Sequence, residues 1–155
     1  MKVEVLNSFI TATLEVLRTM AGVEPRRGAP RLKGSQDVSY DVSGVVGITG
    51  QVQGFVVLSF RQSAAQYVVG SFLGEPVNRL DDQVVDAVGE LANIVAGGAK
   101  RVLAEAGCDM KISIPTVIVG KNHIVARPNK VPCFEIPFET DHGPFSVELC
   151  LKSEA

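Results

Sequence analysis

Residues 86–107 read DAVGELANIVAGGAKRVLAEAG, and this stretch predicts one long helix on which the rest of the fold must pack. Small and aliphatic residues recur along it at intervals of three or four, the spacing of one face of an α-helix. Asp81 can cap its first turn, and Gly107 can end it. The members of the apolar face are Val85, Val88, Ala92, Val95, Ala99, Val102 and Ala106.

A polar row lies opposite that apolar face. Asp86, Glu90 and Asn93 fall at i, i+4 and i+7, within about 60° of one another on a helix, and Gly97 continues the row. Exposed helical positions favour residues such as Lys, Glu or Ala, whereas Asn and Gly are poor helix formers. The row therefore indicates a docking surface. The alternative is the solvated face that any amphipathic helix presents.

Two further helices are predicted. The first runs from about residue 2 to 20 and ends at Gly22, and the second begins at a capping box formed by Ser63 and Gln66 and ends near Gly74. The apolar stripe of the first helix consists of Val3, Leu6, Ile10, Leu14 and Leu17.

Strands account for most of the remaining chain. A loop to about residue 36 precedes strands in residues 37–60, with a hairpin between Gly50 and Gly54. Short turns between consecutive strands favour antiparallel pairing, so the predicted fold class is α+β: one domain spanning residues 1–155, with a largely antiparallel sheet and packed helices. The later strands are MKISIPTVIVG, HIVAR, VPCFEIPFE and FSVELCLK.

Glycines interrupt the first of these strands. Gly44, Gly47 and Gly50 indicate a bulge or a close approach of another backbone. Such a strand could also lie at a sheet edge that pairs with a second copy of the chain.

Composition excludes several functional classes. The chain has 155 residues, 46% hydrophobic and 21% charged, which is typical of one globular domain. A net charge of −2 argues against a nucleic-acid-binding protein. No apolar run reaches the roughly 18 residues of a membrane span, and no secretory signal is recognisable, so a cytoplasmic location is expected. The odd number of cysteines, without C-x-x-C spacing, predicts reduced thiols at Cys108, Cys133 and Cys150.

The basic cluster and the two histidines predict no functional site of their own. Arg26, Arg27, Arg31 and Lys33 form a basic cluster that is predicted to be a solvated loop, with a docking patch as the alternative. The histidines, His123 and His142, have no neighbouring ligand at metal spacing, so no metal site is predicted.

The run from Asp86 through Glu90 and Asn93, followed by Pro115, resembles the signature of the CheC/CheX/FliY phosphatases, which act on the phosphorylated response regulator CheY of bacterial chemotaxis. The resemblance implies a CheC-like fold and phosphoaspartate phosphatase activity. It also implies a phosphorylated CheY-type regulator as partner and a homodimer formed through joined sheets. The similarity extends over essentially the whole chain, including residues 45–60 and 113–120.

The implied chemistry assigns roles to the polar row. Hydrolysis of an aspartyl phosphate needs an in-line water, a metal ion and a cation on the developing charge. A response regulator carries its own metal site and lysine, so magnesium is expected on the partner and no metal or cofactor on this chain. A carboxamide can accept from and donate to one water, which makes Asn93 the candidate for orienting it. Glu90 is expected to engage the partner's active-site lysine, as the resemblance also implies, because a glutamate is ordinarily too acidic for a general base near neutrality. Asp86 and Gly97 are assigned supporting, partner-binding roles.

Two other functions stay open. The chain could be a non-catalytic module that sequesters a response regulator or a flagellar-switch component. It could also be an unrelated enzyme that uses Glu90 on a small substrate, although no gathered histidine, cysteine or glycine-rich phosphate loop supports this.

Glu4 and Asn7 repeat the E-x-x-N spacing of the motif in the first helix. Asn7 projects about 60° from the centre of the predicted apolar stripe, so it is expected at the core boundary, where its amide would need protein partners. Glu4 is explained by its place at the positive end of the helix dipole. One active site per chain is therefore predicted, with replacement of Asn7 lowering stability more than activity.

Overall fold

Three helices pack on one antiparallel sheet in this computed structural model, which describes residues 2–128 and 130–153. The strand pairs are all antiparallel in that part of the chain, which confirms the predicted α+β class. The elements are α1 (Val3–Ala21), β1 (Arg26–Arg27), β2 (Arg31–Leu32), β3 (Val42–Gly50), β4 (Val52–Phe60), α2 (Gln62–Leu73), α3 (Asp82–Glu105), β5 (Met110–Ile112), β6 (Thr116–Val119), β7 (Phe134–Thr140) and β8 (Gly143–Ser153).

The sheet order places the glycine-containing strand β3 in the interior. The order is β1-β7-β8-β4-β3-β5, with β2 also paired to β7 and β6 also paired to β3. Because β4 covers one edge of β3 while β5 and β6 cover the other, the suggestion that β3 is a free edge is wrong. No helix among the described residues is long and apolar enough to cross a membrane.

Helix ends follow the local signals in α1 and α3. Asp81 Oδ1 accepts a hydrogen bond of 3.0 Å from the Val84 N–H, which confirms the predicted N-cap of α3. Gly22 closes α1 with a left-handed φ of 65°, and Gly107, just beyond α3, has a φ of 82°.

The capping box predicted for α2 is wrong. Arg61 is the N-cap residue, and its side chain does not cap the helix. The Gln62 N–H instead donates to Asp41 Oδ2 at 2.8 Å, so a carboxylate distant in sequence satisfies the first turn. The predicted end holds, since Gly74 terminates α2 in the left-handed conformation.

α3 buries a wider face than its sequence predicted, because it packs against both β3 and α1. Leu91 and Leu103 are buried although neither belongs to the predicted apolar face. Val102 is 43% exposed and Ala106 is exposed, so those two assignments are wrong.

The predicted stripe of α1 is also displaced. Val3 is 66% exposed, and Leu6, Ile10 and Leu14 are only partly buried. The core faces of α1 and α3 meet around Ala12, whose Cβ would lie 3.2 Å from a Cβ added at Gly98. The apolar residues that α1 buries are Val5, Phe9, Ala12, Val16, Leu17 and Ala21.

Gly44 confirms the predicted close approach of another backbone. A Cβ at this position would lie 2.7 Å from the Ala92 Cβ and 3.1 Å from the Val88 carbonyl oxygen. α3 can therefore rest directly on β3 only because residue 44 has no side chain.

Three strand assignments need correction. Residues 26–27 and 31–32, predicted as loop, form β1 and β2 because both pair with β7. Residues 110–120 form two strands, β5 and β6, separated by residues 113–115. Residues 123–127, predicted as a strand, form none, and the Ser39 N–H donates to the His123 carbonyl outside any ladder.

The expectation of reduced thiols is wrong for two of the three cysteines. Cys133 and Cys150 form a disulfide, with their Cα atoms 4.1 Å apart. The register of β7 on β8 pairs Phe134 with Leu149, which brings the two cysteines opposite each other. Cys108 is a free, partly buried thiol.

A buried ion network covers the sheet face opposite the helices. Glu135 and Glu148 lie directly opposite each other on β7 and β8. Lys33 Nζ lies 2.7 Å from Glu148 Oε2 and 3.6 Å from Glu135 Oε2, and all three side chains are almost fully buried. Lys33 is therefore not part of a solvated loop, because two carboxylates from distant strands require its charge.

Arg31 contacts the same network from outside. It pairs with Glu135 while its side chain stays 70% exposed. The hydrogen bond and then the charge of Glu135 raise the pKa of the Arg31 guanidinium.

We predict that Lys33→Met lowers the free energy of unfolding by about 3–5 kcal/mol, because it leaves two neighbouring buried carboxylates without their cation. Arg31→Met is the matched control: it removes an exposed partner of the same Glu135 and should lower the free energy by less than about 1 kcal/mol. Urea unfolding of both variants measures the difference. Equal losses would contradict the assignment of Lys33 as the central cation.

Candidate functional site

The polar row predicted on the long helix lies on the outer face of α3. Asp86 and Glu90 are exposed, whereas Asn93 and Gly97 are half-buried beside β5 and the residues that follow it. Neither carboxylate forms an ion pair within residues 2–128 and 130–153, so both are available to a cation of another molecule.

Among the described residues, the side-chain amide of Asn93 has one hydrogen bond, at its nitrogen end. Its Nδ2 donates to the Ser113 carbonyl oxygen at 3.2 Å. Because a carbonyl only accepts, this bond fixes the amide orientation, with the nitrogen toward Ser113 and Oδ1 directed elsewhere. Asn93 therefore presents a hydrogen-bond acceptor whose direction is set by the protein.

Residues 113–115 form the second wall of the site. Ile114 is 87% exposed, which makes it the most exposed large hydrophobic residue among those described. Pro115 packs toward α3, since a Cβ added at Gly89 would lie 3.6 Å from Pro115 Cγ and 3.0 Å from Val117 Cγ2. Gly89 thus serves the contact between this segment and α3.

A groove between α1 and α3 ends at the polar row. Its volume is about 530 Å³. Gly97 leaves this surface open, because the nearest atom to a Cβ added there is Ile112 Cδ1 at 4.0 Å. The residues that line the groove beside the site include Asn93, Gly97, Arg101, Glu15, Met20 and Ile112.

The acidic residues of the row do not form a metal site. The described part of the chain gathers no group of three histidine, cysteine, aspartate or glutamate side chains that could hold an ion. Both histidines are engaged elsewhere: His123 Nε2 lies 2.7 Å from Ser43 Oγ, and His142 stacks on Tyr67. The donor set at Asp86 and Glu90 therefore does not fit a resident metal ion.

The structure overturns the predicted position of Asn7. Asn7 and Glu4 are both exposed, because the core face of α1 is centred on Phe9 and Ala12 rather than on the predicted stripe. The Asn7 amide makes no side-chain hydrogen bond to the described residues, in contrast to Asn93. Burial of Asn7 therefore does not support one active site per chain, and the single site stays a prediction.

Sequence reasoning missed Ser113 and Ile114. Ser113 contacts Asn93 through its backbone carbonyl, which leaves no mark in the sequence. A proline within an apparent strand predicts an edge or a bulge, so Pro115 was the available signal that the strand is interrupted.

Comparison with known proteins identifies one family that the chain matches. The family model described as chemotaxis phosphatase CheX matches residues 42–139. A relative from Thermotoga maritima, named CheY-P phosphatase CheX, is 32% identical over 123 residues, which cover 79% of each chain.

Solved structures share the whole fold. A CheC-like superfamily protein from a Shewanella species has a TM-score of 0.92 and 35% identity, covering 99% of this chain and all of its own. CheX from Borrelia burgdorferi, solved in a complex with CheY, BeF3 and magnesium, has a TM-score of 0.83 and 26% identity, covering 98% of this chain and all of its own.

We predict that Asn7→Ala and Asn93→Ala both leave the melting temperature nearly unchanged. Asn7 is exposed and Asn93 has one partly exposed hydrogen bond, while alanine is the better helix former at both positions. Thermal melts of the two variants measure this. A large drop for Asn7→Ala would restore the core-boundary position that the structure rejects.

Proposed function

The chain belongs to the CheX family of chemotaxis phosphatases, and we propose that it hydrolyses the aspartyl phosphate of a phosphorylated CheY-type response regulator. The observation that carries this proposal is the fixed amide of Asn93 at the surface, one helical turn from Glu90, which has no ion pair among the described residues. Similarity to the CheY-P phosphatase CheX of Thermotoga maritima supports the activity, and similarity to the Borrelia burgdorferi CheX that was solved with CheY supports the partner.

Asn93 orients the attacking water. Its Oδ1 accepts a hydrogen bond from a water that lies in line with the bond between phosphorus and the acyl oxygen. The water oxygen bonds to phosphorus, the bond to the acyl oxygen breaks, the regulator's aspartate leaves as a carboxylate, and both protons of the water leave with the inorganic phosphate. A water held in line needs no strong base, since the transition state is largely dissociative.

Glu90 fixes the docking register. An exposed carboxylate without an ion pair of its own is suited to engage the lysine of a regulator's active site. Asp86 lies one turn earlier in the same row and supports this contact. Gly97 lets the partner's backbone approach α3, because among the described residues the nearest atom to a Cβ added there is Ile112 Cδ1 at 4.0 Å.

Magnesium enters with the partner. In the described part of the chain no group of acidic side chains could hold the ion, and the Borrelia burgdorferi structure contains magnesium together with CheY. We place the reaction in the cytoplasm, where response regulators act.

We also propose a homodimer that forms through joined sheet edges. The outermost described strands are β5 and β6 at one end of the sheet, and β1 and β2 at the other.

We predict that Asn93→Ala slows dephosphorylation of the regulator by on the order of 10²-fold, the effect of losing one preorganised polar group. Asn7→Ala, which removes the same side chain from the same E-x-x-N spacing on α1, should retain full turnover. Single-turnover decay of the phosphorylated regulator measures both. Wild-type decay with Asn93→Ala would overturn the mechanism, and half the wild-type turnover with Asn7→Ala would indicate two working sites.

The same assay separates phosphatase from sequestering module. If the protein is a phosphatase, a substoichiometric amount of it should release phosphate from an excess of phosphorylated regulator. If the chain instead slowed release in proportion to its concentration, the non-catalytic alternative would be correct.

A charge-specific defect is predicted for Glu90→Gln. The substitution keeps the side-chain shape and removes the charge, so it should raise KM with a smaller change in kcat. The defect should shrink as ionic strength rises, because salt screens the partly solvated contact that the wild type makes. Rates against regulator concentration at two salt concentrations measure this, and equal curves for Glu90→Gln and wild type would remove Glu90 from the docking contact.

A further inference from the structure

The segment beside Asn93 is a β-bulge. β3 pairs with β5 at Ile48 and Ile112, and with β6 at Val45 and Thr116. Two residues of β3 therefore face three residues of the partner segment, residues 113–115. An extra residue of this kind re-aims the backbone at that point.

Within the bulge, a side chain replaces a backbone carbonyl. The Ser113 N–H donates to the Gly47 carbonyl at 2.9 Å, as one half of an antiparallel hydrogen-bonded pair. The other half should run from the Gly47 N–H to the Ser113 carbonyl. The Gly47 N–H donates instead to Ser113 Oγ at 2.8 Å.

This replacement leaves the Ser113 carbonyl free for the site. The carbonyl oxygen accepts from Asn93 Nδ2 at 3.2 Å. The Ser113 hydroxyl donates its own proton to the Ile114 carbonyl at 3.0 Å, so its direction is fixed as well. A glycine on β3 favours this close contact, because a Cβ added at Gly47 would lie only 3.1 Å from Ser113 Oγ.

We propose that Ser113 is a positioning residue for the reaction: its hydroxyl occupies the Gly47 N–H and thereby keeps its own carbonyl available to orient Asn93. The proposal rests on the proposed function, because Ser113 acts on the reaction by orienting Asn93. Ser113 itself has no contact with the phosphoryl group. Ser113 acts through Asn93 alone.

Removal of the Ser113 hydroxyl should lower kcat and leave KM unchanged. In Ser113→Ala, the Gly47 N–H turns to the carbonyl of residue 113 and competes with Asn93 Nδ2. The Asn93 amide then loses its fixed direction, and kcat falls about tenfold, the factor that corresponds to one ordinary hydrogen bond. KM stays at the wild-type value, because Glu90 and the docking surface are unchanged.

Two further variants keep the test independent of folding defects. Ser113→Thr and Ser113→Val have the same shape, and only the threonine retains a hydroxyl. Ser113→Thr should rescue kcat, while Ser113→Val should show the loss of Ser113→Ala. Thr116→Ala, which removes an exposed hydroxyl at the start of the adjoining strand β6, should leave kcat unchanged.

The experiment measures kcat and KM for regulator dephosphorylation in these variants and in the double variant Asn93→Ala/Ser113→Ala. We expect the double variant to be no slower than Asn93→Ala, since Ser113 has no route to the reaction except Asn93. Wild-type kcat in Ser113→Ala and Ser113→Val, or a further loss in the double variant, would overturn the role of Ser113 while the function stands. Wild-type kcat in Asn93→Ala would instead overturn the proposed function itself.

Discussion

The fold depends on how closely α3 approaches its neighbours. At Gly44 of β3, an added Cβ would lie 2.7 Å from the Ala92 Cβ, and at Gly98 it would lie 3.2 Å from the Ala12 Cβ of α1. Two glycines thus bring α3 into contact with the sheet on one side and with α1 on the other. The face of α3 that neither neighbour covers carries Glu90 and Asn93. Close packing on the sheet therefore fixes the rotation of α3 about its own axis, and with it the direction in which the polar row points. A helix held farther from the sheet could rotate and present other residues.

The opposite face of the sheet closes by a different principle. There Glu135 and Glu148 face each other on adjacent strands, an arrangement that is destabilising without a cation between them. Lys33 supplies that cation from the segment that precedes β3, and the Ser39 hydroxyl donates to Glu148 at 2.7 Å. Apolar packing positions α3 on one face, while buried charge fixes the covering segment on the other. The site lies on the helix side, so exchange of the charge network should change stability without rearranging the site.

The sequence predicted what local signals determine. The cap at Asp81, the hairpin after β3 and the row on α3 all depend on residues a few positions apart, and the structure contains each of them. Non-local choices were beyond reach. The α1 sequence supports two apolar stripes, and its neighbours select the one that includes Phe9. Lys33 was predicted to be solvated because Glu135 and Glu148, the carboxylates that it contacts, lie more than a hundred residues away in sequence. The disulfide between Cys133 and Cys150 depends on the register of β7 on β8, which the sequence does not show.

The site was predictable from the sequence only in its side chains, because its supporting backbone contact is non-local. Asn93 was found because a carboxamide on a helix surface is chemically distinctive, whereas its support is a backbone carbonyl released by a bulge. In the proposed reaction the partner contributes the metal ion and the lysine, so this chain must contribute direction more than charge. Catalysis by positioning tolerates errors of well under about 1 Å. A single flexible amide on an open helix face cannot meet that tolerance, but an amide tied to Ser113, itself locked to an interior strand, can. The bulge after β5 is thus the structural feature that can turn a surface asparagine into a catalytic one.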